Sequence, residues 1–529
     1  MSRKKKQLRF HSVVLVIILA AGLSLRLYRL DYQSLWYDEI KNISLAKEFS
    51  LKEFSSGEHA STQPVFLLFI LRPWIKVFGM SEYSARFPAV ILGVVSLLLT
   101  YGIGLVTFGR TVGLLSAYLL AISPLGIYYS QQAGYSCVLI PIILLSMFLF
   151  LRMLKYGCGV VWLNIANTAL IYIHPVCFIA VIVQNIAILL FVRNKGLLRK
   201  WFSLQLFTFL GVLIWWYIFI RISSTGHDGS YWMCWVNPPT FKTILATLES
   251  FSHGVYQFAQ GGTGFIVESK YLFLPRIILL FYVFFFIYGL VKIRTENRYL
   301  RISSSIVILW LIIPVILLFI FSRLAVPIYI TRYLIYCVPA YYLLVAYGIS
   351  KIKKASIRMC LVGLISLLHF FPLRILYEPS LTQVKNIESW REIAMKLRDD
   401  IEPEDIVILS PLMQIVPFWY YYRENEESTD KVINIMGRET NERWDMVHND
   451  GLNLFLGPGI GETTKFIRKH SNTIASAERI WLIVSPQWPG QNGSGELLID
   501  FFRKSYILEI AAEYPFPGVK VFLFENKSA

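Results

Sequence analysis

The sequence predicts a polytopic α-helical membrane protein that ends in a soluble α/β domain. Three observations carry this reading. The 529 residues are 55% hydrophobic and only 16% charged, too apolar for an ordinary soluble chain of that length. About eleven apolar runs approach the length of roughly 20 helical residues that a bilayer core requires. Near residue 378 both charge and patterning reverse: residues 1–377 hold 35 Lys+Arg and 11 Asp+Glu, whereas residues 378–529 hold 16 and 23.

The runs lie near 10–27, 87–107, 112–124, 137–153, 160–174, 176–192, 201–220, 271–291, 302–321, 333–350 and 359–377. MSRKKKQLRF followed by HSVVLVIILAAGLSL has the look of a signal peptide, but no small-residue cleavage site clearly follows, so it reads as a retained first span. Arg3, Lys4, Lys5, Lys6 and Arg9 hold the N-terminus inside. Alternate loops then carry the basic clusters, such as Arg193, Lys195, Arg199 and Lys200, while the turns at 125–136 and 174–176 contain no Lys or Arg. An odd number of spans leaves the tail outside. Ten of the 11 acidic residues before 378 also fall outside, with Glu296 the exception. Basic residues distributed between apolar spans follow the positive-inside rule, whereas a nucleic-acid partner would need them gathered on one soluble face.

Two outer segments interrupt the spans, at 28–86 and 221–270. The first holds seven acidic residues and QPVFLLFILRPWIKVFG, where Arg72 and Lys76 favour a helix lying in the outer interface over a crossing. The second holds TGHDGSYWMCWVNPP, either a cap over a cavity or a loop with interfacial aromatics. Beyond 378, NIESWREIAMKL sets Ile387, Trp390, Ile393, Ala394 and Leu397 on one helical face. DIVILS, KVINIM, RIWLIVS and VKVFLFE read as strands and GELLIDFFRKSYI as a helix, the alternation of an α/β layer. GPGIG at 457–461 lacks the strand–helix frame of a phosphate loop, which argues against a nucleotide site. The six cysteines show neither disulfide nor metal spacing.

The local signal for chemistry is SLWYDEI at 34–40, where Asp38 and Glu39 are adjacent carboxylates at the outer surface behind Trp36 and Tyr37. The bland alternative is an aromatic interface anchor beside acids that solvent tolerates. An Arg/Leu-rich span exit followed by SLWYDE, then the stretch from STQPVFLLF through GIYYSQ, then ITRYLIYCVPAYYLL and ESWREIAMKLRDDIEPEDIVILSP, resembles the polyprenyl-phosphate-dependent membrane glycosyltransferases. This GT-C group, glycosyltransferase family 39-like, includes the protein O-mannosyltransferases and the aminoarabinose transferases acting on lipid A. The resemblance implies a transmembrane glycosyltransferase domain at 1–377 and an extracytoplasmic α/β domain at 378–529. It places the chain in a bacterial inner membrane with its N-terminus cytoplasmic. Its partners would be the bilayer, a polyprenyl-phosphate sugar donor and a hydroxyl acceptor, with no nucleic acid.

The resemblance makes Asp38 the general base for the acceptor hydroxyl, with Glu39 orienting the acceptor or tuning Asp38. The developing charge on the lipid phosphate calls for arginine, and the candidates are Arg86, Arg323 and Arg332, the last beside Tyr333. Gln131, Gln132 and Tyr135 in YSQQAGYS are candidate sugar or phosphate contacts. His174 in YIHPV resembles a family histidine, although a lone histidine at a span end is commonly structural. Two departures stand out: Gln63 in TQP occupies the place of a His in a His-Pro-Pro-like motif, with His59 nearby, and the second outer loop lacks the family's arginine. No cofactor is firmly implied, and a divalent cation at Asp38 and Glu39 stays open. Competing readings are a ligase or polymerase using diphosphate-linked lipid, a transporter, and a non-catalytic scaffold. The spans lack the central ionisable residues that a transporter uses.

The charge pattern makes a direct prediction. Protease added to intact spheroplasts should remove residues 378–529; protection of the tail until the membrane is inverted would contradict the orientation.

Overall fold

The computed structural model describes residues 3–48, 66–224, 236, 238–256, 265–266, 273–378, 389–402, 405–410, 415–423, 434–435, 478–484, 499–500, 502–503, 508–516 and 519–526. It divides into two compact units. One comprises Met1–Leu30, Leu45–Thr225 and Val236–Thr382, and the other Asp31–Ser44, Gly226–Trp235 and Gln383–Ala529.

The first unit is helical. In chain order come α1 (Arg3–Leu27), α2 (Tyr37–Glu48, which crosses the division), a π-helical turn Phe66–Leu71 running into α3 (Arg72–Phe78), α4 (Glu82–Thr107), α5 (Arg110–Ala121) and the short α6 (Pro124–Tyr129). There follow α7 (Ser136–Tyr156), α8 (Val160–Ile173), α9 (Phe178–Phe191), α10 (Lys195–Ser224) and α11 (Phe241–His253). A two-residue parallel pair, β1 (Val255–Tyr256) with β2 (Phe265–Ile266), precedes α12 (Phe273–Ile293), α13 (Arg298–Leu324), α14 (Val338–Ser350) and α15 (Ala355–Tyr377). Among the described residues eight helices are long and apolar enough to cross a membrane, and Arg110–Ala121, Val160–Ile173 and Phe178–Phe191 are shorter apolar helices. The chain is thus a multi-pass integral membrane protein, and each apolar run of the sequence corresponds to one of these helices. The described stretch Phe66–Phe78 is helical and exposes Phe69, Val77 and Phe78.

The run from 333 to 350 is not one uniform helix. Thr331–Cys337 winds as a 3-10 helix, and the α-helix starts at Val338 with Pro339 in its first turn. Proline lacks the N–H that an α-helix continuing from 331 would need, so the tighter turn comes first. α14 is buried along nearly its whole length and packs against α5, α12 and α13.

Bilayer lipid gives apolar helices little reason to prefer one another, so close backbone approach and polar contacts must specify the packing. Gly348 of α14 lies against α12 so closely that a Cβ there would stand 2.0 Å from the Phe285 carbonyl oxygen. A closed ring of amides and a hydroxyl ties α7, α8 and α9: Ser146 Oγ donates to Asn167 Oδ1 (2.5 Å), Asn167 Nδ2 to Gln184 Oε1 (2.7 Å), and Gln184 Nε2 to Ser146 Oγ (2.6 Å). Glu296, the acid on the basic side, is paired with Lys351 and accepts the Tyr347 hydroxyl at 2.8 Å.

In the second unit a five-stranded mixed sheet has the order β4-β3-β5-β7-β6. β3 (Ile406–Ser410) pairs in parallel with β4 (Asn434–Ile435) and β5 (Arg479–Val484). β5 pairs antiparallel with β7 (Val519–Asn526), which pairs antiparallel with β6 (Leu508–Phe516). Ile480–Val484 are all buried, as a continuous apolar run in a covered central strand should be. α16 (Trp390–Asp400) buries Trp390, Ile393, Ala394 and Leu397, the expected face; Ile387 lies outside the described residues. Of GELLIDFFRKSYI, residues 499–500 and 502–503 are helical. Two elements differ from the sequence expectation. β6 carries Ala, Glu and Pro515, poor strand signals that are tolerated because it pairs with β7 alone among the described strands. α17 (Ile415–Arg423) is an aromatic-rich helix that buries Phe418, Tyr421 and Tyr422.

Gly348→Ala should lower the thermal midpoint of the detergent-solubilised protein, because overpacking costs about 1–3 kcal/mol. Gly363→Ala, where a Cβ meets nothing within 4 Å, should leave the midpoint unchanged or raise it. Equal behaviour of the two would contradict the close α12–α14 approach.

Candidate active site

The acidic segment is built from the second unit. Residues 34–36 have no regular structure, and α2 begins at Tyr37, which puts Asp38 and Glu39 in its first turn. Carboxylates are favoured there by the unpaired N–H groups and the positive end of the helix dipole. The two acids are treated differently. Glu39 is buried, 1% exposed, and its Oε2 accepts the Trp36 N–H at 3.4 Å, half of a capping box. Asp38 is half-buried. Burial pushes the Tyr37 phenol up, with the Asp38 charge adding to it, and pulls the Lys41 ammonium down against the attraction of Asp38. Trp36 is half-buried.

The candidate donor residues belong to the first unit, and the fold separates them into two groups. Arg86 is buried and donates to the Leu30 carbonyl at 2.9 Å. Gln131 Nε2 donates to the carbonyls of Arg26 and Tyr28, both at 3.0 Å. These two side chains hold the exit of α1, a turn in which Arg29 takes a left-handed φ of 55°. The sequence expectation was phosphate contact for Arg86 and sugar or phosphate contact for Gln131; in the structure both side chains donate to carbonyls of the α1 exit.

The second group is a stack. The rings of Tyr135 and His174 lie parallel, 5° apart in plane with centroids 4.7 Å apart, and the Tyr333 ring packs against the same imidazole at 5.0 Å, tilted by 44°. The three residues come from the turn before α7, the turn after α8 and the 3-10 helix, and all are 6–8% exposed. His174 Nδ1 accepts the Val176 N–H at 3.2 Å, which makes Nδ1 the unprotonated nitrogen and Nε2–H the available donor. Half-buried Arg332 acts electrostatically on this imidazole. The arrangement gathers a cation and a neutral donor beside aromatic rings, groups able to hold an anionic oxygen.

Arg323 is exposed at the end of α13, and Gln132 is half-exposed. His59 and Gln63 lie outside the described residues, as does most of 225–239, including Cys234, and GPGIG. Among the described residues no group of three or more His, Cys, Asp or Glu forms a metal-holding arrangement. Arg26, whose donors organise the α1 exit, was not singled out in the sequence reading. A long cationic side chain at the end of an apolar span was the available signal.

Residues 62–220 match the family described as dolichyl-phosphate-mannose-protein mannosyltransferase. The protein named Putative mannosyltransferase YkcB of Bacillus subtilis (strain 168) is 25% identical over 174 residues, which are 31% of this chain and 23% of that one. YycA of the same organism, named likewise, is 26% identical over 170 residues, 30% of this chain and 24% of that one. The matched region thus spans about a quarter of the length of these relatives. Among solved structures, ArnT from Cupriavidus metallidurans in the apo state superposes with a TM-score of 0.57 at 13% identity, covering 96% of this chain and 97% of that chain. The same protein bound to undecaprenyl phosphate gives 0.55 with the same coverage. The Archaeoglobus fulgidus oligosaccharyltransferase in the apo form gives 0.51 at 12% identity, covering 89% of this chain and 69% of that chain.

The fold is therefore shared with ArnT and the oligosaccharyltransferase. The resemblance to the polyprenyl-phosphate-dependent membrane glycosyltransferases is borne out in the stretch from STQPVFLLF onward, which the family match covers.

Proposed function

We propose that this chain is an inverting glycosyltransferase that moves a sugar from a polyprenyl-phosphate carrier to a hydroxyl acceptor on the extracytoplasmic face. The observation that carries the reading is the superposition, over nearly the full length of both chains, on a structure holding undecaprenyl phosphate.

In the proposed reaction the acceptor oxygen attacks the anomeric carbon from the face opposite the phosphate. Its proton passes to the Asp38 carboxylate as the new C–O bond forms. The bond between the anomeric carbon and the phosphate oxygen breaks, and its electron pair leaves on polyprenyl phosphate. Arg332 offsets the charge that develops there, with His174 Nε2–H as a neutral donor beside it. Glu39 keeps the first turn of α2 closed and so keeps Asp38 aimed. The basic loops support an inside N-terminus and an outside C-terminal domain.

Asp38→Asn tests the assignment because it preserves size and hydrogen bonding while removing basicity. Turnover at matched expression and donor binding should fall about 10²- to 10⁴-fold. Glu39→Gln keeps an oxygen for the Trp36 N–H and should cost less than about tenfold. Retention of more than about a tenth of the wild-type rate by Asp38→Asn would remove Asp38 as the base.

A further inference from the structure

The acidic segment is grouped with the C-terminal domain, and the hydrogen bonds that join them are specific. Residues 34–36 lack regular structure, so the start of α2 can fray unless the backbone ahead of it is held. α17 supplies one hold: the Leu35 N–H donates to the Tyr421 hydroxyl oxygen at 2.6 Å, with Leu35 fully buried. α16 supplies the others. The Arg391 backbone N–H donates to Ser34 Oγ at 3.1 Å, and its guanidinium donates from Nη1 to the Asp31 carbonyl and from Nη2 to the Tyr32 carbonyl, both at 3.4 Å. The two helices are locked to each other, since Arg398 Nη2 donates to the carbonyls of Tyr421 (2.8 Å) and Tyr422 (3.0 Å) at the end of α17.

We propose that Tyr421 and Arg391 are positioning residues for the transfer reaction, holding the backbone of residues 31–35 and thereby fixing where the Asp38 carboxylate stands. This rests on the reading of Asp38 as the general base. The physical reason is geometric. Asp38 follows Leu35 by three residues, less than one helical turn, so displacement of the held backbone carries directly into the carboxylate. A misplacement of about 1 Å costs on the order of 10²-fold in rate. The C-terminal domain thus acts on the chemistry through backbone geometry, and neither residue needs to touch substrate.

The full-length protein in detergent or nanodiscs tests this with two readouts, turnover of a polyprenyl-phosphate sugar and amide hydrogen exchange of residues 31–40. Tyr421→Phe removes one hydroxyl and keeps the ring. It should lower kcat about tenfold or more while leaving KM for the donor within about twofold, and should speed exchange at Leu35. Arg391→Ala should act in the same direction, with Arg391→Lys restoring part of the rate. Ser34→Ala approaches the same clasp from the other side and leaves the C-terminal domain untouched, which covers the case in which a domain variant fails to fold. Wild-type kcat in Tyr421→Phe, Arg391→Ala and Ser34→Ala, with Asp38→Asn inactive, would overturn the positioning role and leave the base assignment standing. If the wild-type protein itself transfers nothing, the functional reading fails. Unchanged Leu35 exchange in Tyr421→Phe overturns the clasp whatever the activity.

Discussion

A fully buried arginine at the end of the first helix is the interaction on which the exit of α1 depends. Arg26 is 1% exposed, and its donors go to neutral oxygens: Nε to Ser130 Oγ at 3.1 Å, Nη1 to the carbonyls of Gly22 (2.9 Å) and Ala121 (3.3 Å), and Nη2 to the carbonyl of Leu120 (3.3 Å). Desolvating such a charge costs several kcal/mol, and it persists because the site answers it twice. The carbonyls of Leu120 and Ala121 close α5, and Ser130 closes α6, so the guanidinium sits at two negative helix ends. Charge-assisted hydrogen bonds of about 1.5–3 kcal/mol each offset the burial. Gly93 makes the room, since a Cβ there would stand 2.8 Å from Arg26 Nε and 2.4 Å from Ser130 Oγ.

With Arg26 fixed, the chain that leaves α1 is held carbonyl by carbonyl. The Tyr377 hydroxyl donates to Leu25, Gln131 to Arg26 and Tyr28, and Arg86 to Leu30. The last carbonyls of a helix have no partners inside it, and here each donor comes from a different helix or turn. The left-handed Arg29 is tolerated in a turn so thoroughly tied. In the second unit, Arg391 and Tyr421 continue the same kind of restraint from Asp31 to Leu35. Within the first unit the restraint runs from Leu25 to Leu30, and within the second from Asp31 to Leu35, three residues before Asp38.

Much of this was legible in the sequence, for identifiable reasons. Hydrophobic runs report helices in lipid directly, because every backbone polar group must be satisfied within the segment. The helical face of 390–397 was readable because burial on one side imposes a period, and the strands at 406–410, 479–484 and 519–526 because covered strands read as short, β-branched apolar runs. Pattern failed where tertiary pairing overrides propensity, as in β6 with Pro515, and where aromatic residues mask a helix, as at 415–423. The candidate site shows the same division. Motif resemblance drew Tyr135, His174 and Tyr333 from three separate segments, and the fold brings them together. It also drew Arg86 toward phosphate and Gln131 toward sugar or phosphate, while the carbonyl contacts that both side chains make leave no mark in the sequence.

The proposed leaving group is a lipid monophosphate, and the fold is shared with a structure holding undecaprenyl phosphate. Purified protein given a radiolabelled polyprenyl-phosphate sugar and a hydroxyl acceptor should release polyprenyl phosphate in step with sugar transfer, with inverted anomeric configuration. Turnover supported by a nucleotide sugar alone, or release of polyprenyl diphosphate, would contradict it.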